Sequence, residues 1–119
     1  MTSLLVLVVE DEFLVRIHAV ASLEEAGFST LEAGSADEAI SLLRAREDIR
    51  VVFTDINMPG AMDGLRLAHA VRQRWPRIEL VVTSGQVQVD EAGMPERGLF
   101  LDKPYSATEL VRAVRTLTH

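Results

Sequence analysis

Short apolar runs alternate along this chain with longer amphipathic stretches. The runs are rich in Val, Leu, Ile and Phe and end at polar or turn residues, which is typical of strands buried on both faces of a sheet. The run at residues 28–33 alternates with Thr and Glu, so we expect it at an edge of the sheet. The predicted strands cover residues 4–9, 28–33, 51–54, 79–83 and 99–102.

The first amphipathic stretch predicts a helix that follows the first strand and ends near Ala26, before Gly27. Its apolar residues recur at i, i+4, i+7 and i+8, which places them on one helix face. The predicted buried stripe consists of Phe13, Ile17, Val20 and Ala21.

Three further helices are indicated by capping residues and apolar stripes. Ser35 is followed three residues later by Glu38, which is the spacing of a capping box. Ser106 and Glu109 repeat that spacing, and another helix begins near Gly64. The residues predicted to be buried are Ala36, Ala39, Ile40 and Leu43, then Leu67, Ala68, Val71 and Trp75, and finally Leu110, Val111, Val114 and Leu117.

The stretch at residues 86–98, between the fourth and fifth strands, lacks such a stripe. Val87 and Val89 are two residues apart, and Gly93 and Pro95 both disfavour a helix. We predict that the fourth helix of the alternation is short, irregular or disordered, and that its amides exchange hydrogen rapidly.

The regular alternation of strands and helices predicts an α/β fold with a parallel sheet, right-handed crossovers and helices on both faces. A doubly wound sheet of five strands in the order 2-1-3-4-5 has its ligand crevice between the first and third strands, at their carboxyl ends. With 119 residues we expect one domain, residues 1–119, and no effector domain.

Composition excludes several classes of protein. Without Cys there is no disulfide framework, and the longest apolar run is far too short for a membrane span. The formal net charge is −6 and the basic residues are scattered along the sequence, which argues against direct binding of nucleic acid. We expect a cytoplasmic protein that is a monomer or a weak dimer.

Carboxylates follow two strands that should be neighbours in the sheet. Glu10 and Asp11 follow the first strand, and Asp55 follows the third. Three carboxylates in one crevice repel each other unless a cation lies among them, and an all-oxygen set favours Mg²⁺. The backbone carbonyl of Asn57 is a further candidate ligand. The alternatives are that Asp11 caps the first helix and that Asp55 caps a loop.

Two more strand ends bring groups suited to an anion. Lys103 follows the fifth strand, and Thr83 ends the fourth. A metal, an ammonium and a hydroxyl around one carboxylate suit phosphoryl transfer, in which Asp55 is the nucleophile. The simpler alternatives are an ion pair between Lys103 and Asp55 and an ordinary strand threonine.

Taken together, these marks resemble the response-regulator receiver domain of two-component signalling over essentially the whole chain. They are the acidic pair Glu10-Asp11, Asp55 before Asn57-Met58-Pro59-Gly60, Asp63-Gly64, Thr83, and Lys103-Pro104. The resemblance implies a flavodoxin-like fold and Mg²⁺-dependent phosphorylation of Asp55. The donor is a sensor histidine kinase, a phosphotransfer protein or a small molecule such as acetyl phosphate. Such a domain is a phosphoacceptor rather than an enzyme, and it switches the binding of a downstream protein whose identity the sequence does not contain.

The resemblance also implies roles for individual residues. The metal ligands are Asp11 and Asp55, with Glu10 assisting and the Asn57 carbonyl completing the set. Lys103 and Thr83 contact the phosphoryl oxygens. Phe100 matches the aromatic switch position, for which the alternative is a plain core aromatic, and the Lys103–Pro104 peptide bond is cis. The loop after Asp55 is slightly long for the family.

The residues leave two alternative functions open. A degenerate receiver would bind partners without being phosphorylated. A Mg²⁺-dependent aspartyl phosphatase of the haloacid-dehalogenase type needs an acid two residues after its nucleophile, where this chain has Asn57. A nucleotide-binding module is disfavoured because neither GxxxxGK[ST] nor GxGxxG occurs.

Overall fold

Five parallel strands form one sheet in the order β2-β1-β3-β4-β5. The computed structural model describes residues 4–56, 64–84, 95 and 97–118. The sheet order and the parallel pairing confirm the predicted doubly wound, flavodoxin-like α/β fold. The strands are β1 (Leu5–Val9), β2 (Ser29–Ala33), β3 (Ile49–Asp55), β4 (Glu79–Ser84) and β5 (Gly98–Asp102).

In the part of the chain that the structure describes, four helices connect or follow these strands. They are α1 (Phe13–Glu25), α2 (Ala36–Ala45), α3 (Gly64–Arg74) and α4 (Ala107–Thr118). The predicted capping box of α4 is present, since Ser106 and Glu109 bond each other reciprocally at 3.1 and 3.2 Å. That of α2 is half formed: the Ser35 hydroxyl accepts from the Glu38 amide at 3.1 Å, but the Glu38 carboxylate accepts from the Gly34 amide at 3.3 Å. Within the described ranges, no helix has the length and apolar content needed to cross a bilayer.

The core lies in two layers, one on each face of the sheet. Leu7, Val52 and Leu80 project from the strands into one layer, which also contains the buried faces of α2 and α3. Val6, Val8 and Val81 project into the other, where Ala19 and Leu23 of α1 meet Leu110 and Val114 of α4. The predicted buried positions of α2 and α3 are therefore confirmed, apart from Trp75, which is half-buried. In α4, Leu110 and Val114 are buried, while Val111 and Leu117 are half-buried.

The predicted buried stripe of α1 is correct only at Val20, which is half-buried and packs against the core layer of α1 and α4. Phe13 and Ile17 are 60% and 42% exposed, Ala21 is exposed, and the buried residues are Ala19, Ser22 and Leu23. The start of α1 is apolar around most of its circumference, so periodicity does not single out one face. The helix instead packs through its second half, where it contacts β2 and α4.

The prediction for residues 86–98 falls almost entirely outside the described residues, because only residues 95, 97 and 98 are described there. The Gly98 amide donates to the Pro95 carbonyl at 3.2 Å at the entry to β5, and Arg97 has a φ of 62°. The prediction of a short, irregular or disordered helix therefore stays a prediction. Asn57, whose carbonyl was predicted to be a ligand, also lies outside the described residues.

Candidate functional site

The carboxyl ends of the parallel strands bring the predicted site residues to one edge of the sheet. Asp55 is the last residue of β3 and pairs with Thr83 of β4, while Val9 of β1 pairs with Thr54 of β3. Glu10 therefore emerges beside Asp55, as expected for the switch point between the first and third strands. The Lys103 amide donates to the Ser84 carbonyl at 3.1 Å, which holds the end of β5 at the same edge.

Three carboxylates lie together at this edge. Each of Glu10, Asp11 and Asp55 offers an oxygen atom, and these oxygens all lie within 4.8 Å of one another. Glu10 and Asp55 are 3% and 5% exposed, whereas Asp11 is exposed. The alternative in which Asp11 caps α1 is wrong, because the N-cap residue is Glu12 and its side chain makes no capping bond.

Lys103 is the cation of the site. Its Nζ lies 2.7 Å from Glu10 Oε1 and 3.0 Å from Asp55 Oδ2. The Lys103–Pro104 peptide bond is cis, as the resemblance implied. One ammonium group thus bridges two buried carboxylates from neighbouring strands.

The charges at this edge perturb one another. Burial raises the pKa of Glu10 to about 7. The hydrogen bonds that Glu10 accepts from Lys103 and from the Glu12 amide lower this pKa, but they do not outweigh burial. Burial by itself would lower the pKa of Lys103, but the hydrogen bonds to Glu10 and Asp55 raise it. The edge therefore holds Lys103 as a cation, and Glu10 gives up its proton only near neutral pH.

Arg16 of α1 supports the site through the backbone of Glu10, and no motif in the sequence pointed to it. Its Nη1 donates to the Glu10 carbonyl at 2.8 Å, and its Nε donates to Glu32 Oε1 on β2 at 3.0 Å. The Glu10 amide in turn donates to the Ala33 carbonyl at 3.0 Å. The only signal in the sequence was an arginine about one helical turn after the acidic pair.

Thr83 is buried on β4 with an unsatisfied hydroxyl. It is 1% exposed, and its Oγ1 has no hydrogen-bond partner among the described residues. Its backbone carbonyl accepts from the Ile56 amide at 3.0 Å, which ties β4 to the end of β3. A buried hydroxyl without a partner is costly, so its presence here needs an explanation.

Gly64, the first residue of α3, lies directly against the Asp55 backbone. A Cβ atom added at Gly64 would collide with the Asp55 carbonyl oxygen, and it would lie 2.7 Å from Ile56 Cα. Any side chain at position 64 would therefore displace the backbone that carries the Asp55 carboxylate. The sequence contains the Asp63-Gly64 pair but not this reason for it.

Aromatic residues border the site on the α1 side. The Tyr105 ring packs edge-on against Phe53, with centroids 5.4 Å apart, and stacks on His18 at 6.3 Å. Burial raises the pKa of Tyr105 to about 12, and the negative charge of Glu10 adds to this. Phe100 of β5 is half-buried and packs against the core layer that contains α2 and α3.

The model of one protein family matches most of this chain: the response regulator receiver domain, over residues 6–115. The chain belongs to that family. Receiver domains are the phosphoacceptor signalling domains of two-component response regulators, not classical enzymes, and they typically bind Mg²⁺ in an acidic pocket. The three carboxylates at the carboxyl edge of the sheet agree with such an acidic pocket.

The curated relatives that this chain matches are longer proteins, and they include response regulators and a sensor kinase. The hydrogenase transcriptional regulatory protein HoxA of Cupriavidus necator is 37% identical over 114 residues, which are 92% of this chain and 23% of that protein. The nitrogen assimilation regulatory protein NtrX of Azorhizobium caulinodans is 32% identical over 120 residues, which are 94% of this chain and 26% of that protein. This chain thus spans about a quarter of the length of these relatives.

Solved receiver structures have the same fold. A response regulator receiver protein from Sinorhizobium medicae matches with a TM-score of 0.90 at 28% identity, over 97% of this chain and 94% of that one. The receiver domain of NtrX from Brucella abortus matches with a TM-score of 0.84 at 30% identity, over 94% of this chain and 96% of that one.

Proposed function

We propose that this receiver domain accepts a phosphoryl group on Asp55 in a Mg²⁺-dependent reaction and thereby switches the binding of a downstream protein. The observation that carries the proposal is the set of charges around Asp55. A nearly buried carboxylate lies beside two further carboxylates that can hold a cation, and an ammonium group contacts it at 3.0 Å. The proposed donor is a sensor histidine kinase or a phosphotransfer protein.

The chemistry needs one carboxylate oxygen of Asp55 to act as nucleophile. That oxygen attacks the phosphorus of the donor as the bond from phosphorus to the donor's imidazole nitrogen breaks. The electron pair of the broken bond stays on the nitrogen, which takes up a proton if the ring carried none. Acetyl phosphate would react in the same way and release acetate.

The carboxylate oxygens fit Mg²⁺. The three side chains found among the described residues offer oxygen atoms, which hard cations prefer, and three side chains leave room for water ligands. Asp11 and Asp55 are the proposed direct ligands, Glu10 assists, and the Asn57 carbonyl is a further proposed ligand. Bound there, Mg²⁺ would neutralise and orient the phosphoryl oxygens. Lys103 is then free to exchange its contacts with carboxylates for contacts with the phosphoryl group.

Thr83 and Phe100 form the proposed switch. The unsatisfied hydroxyl of Thr83 lies on the strand next to Asp55 and can donate to a phosphoryl oxygen, which would relieve its missing hydrogen bond. Phe100 lies on β5, next to the strand of Thr83, and is only half-buried. Movement of Thr83 towards the phosphoryl group would open space for the Phe100 ring to turn inward.

The start of α1 supports a protein as the donor. Phe13, Leu14 and Ile17 are 60%, 78% and 42% exposed, and they follow Asp11 and Glu12 directly. Exposed apolar side chains clustered beside a reactive group are typical of a protein interface. We propose that the phosphodonor protein contacts this face of α1.

Intact-mass measurement after incubation with acetyl phosphate tests the proposal. The wild-type protein should gain one phosphoryl group, about 80 Da, in Mg²⁺ and none in EDTA. Asp55→Asn should gain none in either buffer, because an amide is not a nucleophile for phosphorus here. Asp48→Asn, which alters an exposed carboxylate paired with Arg46, is the matched control and should be labelled like wild type. Equal labelling of Asp55→Asn and wild type would show that another residue is the acceptor.

A further inference from the structure

A basic pocket lies at the opposite edge of the sheet from Asp55. It is formed where α2 and α3 end and where β3 and β4 begin, and its volume is about 620 Å³. Ligand sites of proteins have volumes of roughly 300–1,000 Å³. The charged residues of its lining are Arg44, Arg46, Arg50, Arg74, Arg77 and Glu47.

The charge of this pocket opposes the charge of the chain as a whole. The chain carries a formal net charge of −6, yet the described residues that line this cavity include five arginines and one carboxylate. Arg46 is neutralised by Asp48, with its Nε and Nη2 donating to the carboxylate at 2.9 and 2.7 Å. Among the described residues no side-chain partner is seen for Arg44, Arg50, Arg74 or Arg77. The pocket therefore holds a concentrated positive charge that the chain itself leaves largely unpaired.

Helix-dipole stabilisation does not account for the whole cluster. Arg44 and Arg74 lie in the last turns of α2 and α3, where a cation favours the helix. Arg50 lies on β3 and Arg77 in the turn before β4, so no helix end explains them. The two helix carbonyl ends amount to roughly half a negative charge each, which is less than the charge of four arginines.

The wall of the pocket is held in place by two more arginines. Arg72 Nη1 donates to the carbonyls of Pro76 and Ile78, both at 2.9 Å. Arg97 Nη2 donates to the Pro76 carbonyl at 2.6 Å. The turn that carries Arg77 is thus fixed before any ligand arrives, which reduces the entropic cost of binding one.

From this arrangement we infer that the pocket binds a small molecule with two or more phosphate groups. The planar guanidinium group donates in a fork that matches phosphate oxygens, and several of them converging on one cavity suit a chain of phosphates. Two kinds of molecule carry such a chain, inorganic polyphosphates and nucleoside polyphosphates. The half-buried indole of Trp75 also lines the pocket and offers a surface for a base.

Calorimetric titration of the full chain with tripolyphosphate, with ATP and with citrate tests the inference. The titrations are made at low salt in EDTA, so that no phosphate is held through Mg²⁺ at the Asp55 edge. Tripolyphosphate and ATP should bind, and citrate, which has carboxylates instead of phosphates, should bind at least about tenfold more weakly. Tighter binding of ATP than of tripolyphosphate would identify a nucleotide as the ligand. Equal or weaker binding of ATP would identify an inorganic polyphosphate as the ligand.

Paired double variants locate the site. Arg50→Gln with Arg77→Gln should weaken the binding of tripolyphosphate by about tenfold or more. Both residues are exposed, so the fold should persist, and Arg44→Gln with Arg74→Gln offers a second pair. Arg112→Gln with Arg115→Gln removes the same charge from α4 and should leave the affinity within about twofold of wild type.

Three results would overturn the inference. They are the absence of binding heat with both polyphosphates, binding of citrate as tight as that of tripolyphosphate, and equal losses of affinity in the pocket pair and the α4 pair. Either of the last two results would show that the anions bind through nonspecific charge attraction and not through recognition of phosphates by this pocket.

Discussion

At the scale of single residues, the edge of the sheet at Asp55 contains buried polar groups that lower the stability of the fold. Two carboxylates and a hydroxyl are almost completely buried there: Glu10, Asp55 and Thr83. Lys103 compensates both carboxylates, but the Thr83 hydroxyl has no partner in the part of the chain that the structure describes. Buried polar groups of this kind are retained at functional sites at a cost in stability.

Thr83→Val tests whether the hydroxyl serves the phosphoryl group. Valine keeps the shape and removes the unsatisfied group, so the free energy of unfolding should rise by about 1 kcal/mol. Labelling by acetyl phosphate should slow by about tenfold, because one donor to the phosphoryl oxygens is lost. Urea unfolding and the time course of the mass shift measure the two effects.

The matched variant Thr83→Ser keeps the hydroxyl and loses the methyl group. It should be less stable than wild type by about 1 kcal/mol and should be labelled at close to the wild-type rate. If the serine variant is labelled as slowly as the valine variant, the hydroxyl is not what promotes labelling, because serine keeps it.

Gly64→Ala tests the contact between α3 and the Asp55 backbone. The new methyl group would collide with the Asp55 carbonyl, so we expect a loss of about 2–3 kcal/mol in the free energy of unfolding, together with slower labelling. Gly34→Ala is the control, since its methyl group would meet only the flexible ends of Arg16 and Glu38, at 3.4 and 3.8 Å. Losses of the same size for the two variants in urea unfolding would contradict the role of this contact.

At the scale of elements, capping and packing decide how firmly each helix is held. α2 and α4 each begin with a serine cap and bury an apolar face, so local and tertiary signals agree there. α1 lacks a side-chain cap and leaves Leu14 and Phe13 in solvent. The first turn of α1 therefore lies on the protein surface and adds little to the hydrophobic core.

Leu14→Ala and Leu23→Ala make the same chemical change at opposite ends of α1. Leu14 is 78% exposed and Leu23 is fully buried. We expect Leu14→Ala to change the free energy of unfolding by less than about 0.5 kcal/mol, and Leu23→Ala to lower it by about 2–5 kcal/mol. Equal losses in urea unfolding would mean that the start of α1 is packed after all. Labelling of Leu14→Ala by acetyl phosphate should match wild type, since this small donor needs no protein surface.

At the scale of the whole molecule, charge is separated between the two edges of the sheet. The carboxylates of Glu10, Asp11 and Asp55 lie at one edge and the arginine pocket at the other. Lys103 offsets only part of the charge of these three carboxylates. Occupancy by Mg²⁺ should therefore relieve the remaining repulsion and stabilise the whole fold by mass action.

Thermal unfolding with and without Mg²⁺ tests this coupling. The melting temperature of wild type should rise with millimolar Mg²⁺, whereas Asp11→Ala should lose both this rise and the labelling. In EDTA, Asp11→Ala should be at least as stable as wild type, because one of three crowded charges is gone. Asp37→Ala, which removes an exposed carboxylate on α2, should keep the Mg²⁺ response. A rise for Asp11→Ala as large as that of wild type would exclude Asp11 as a ligand.

The amino-acid sequence by itself determined the strands, most of the helices and their order. Buried parallel strands are continuous apolar runs and α2, α3 and α4 have one apolar face each, so local patterns suffice for them. The strand-end positions of Glu10, Asp55, Thr83 and Lys103 also followed from the sequence, because parallel strands deliver their carboxyl ends to one edge.

Only the tertiary structure decided the rest, since it depends on which surfaces meet. It selected Ala19 and Leu23 as the buried face of α1, because several faces of that helix are equally apolar until α4 packs on one of them. It brought Gly64 against the Asp55 carbonyl, a contact between backbones that leaves no periodic signal. It also gathered arginines that are scattered in sequence into one pocket, because the ends of α2 and α3 and the starts of β3 and β4 converge at the same edge.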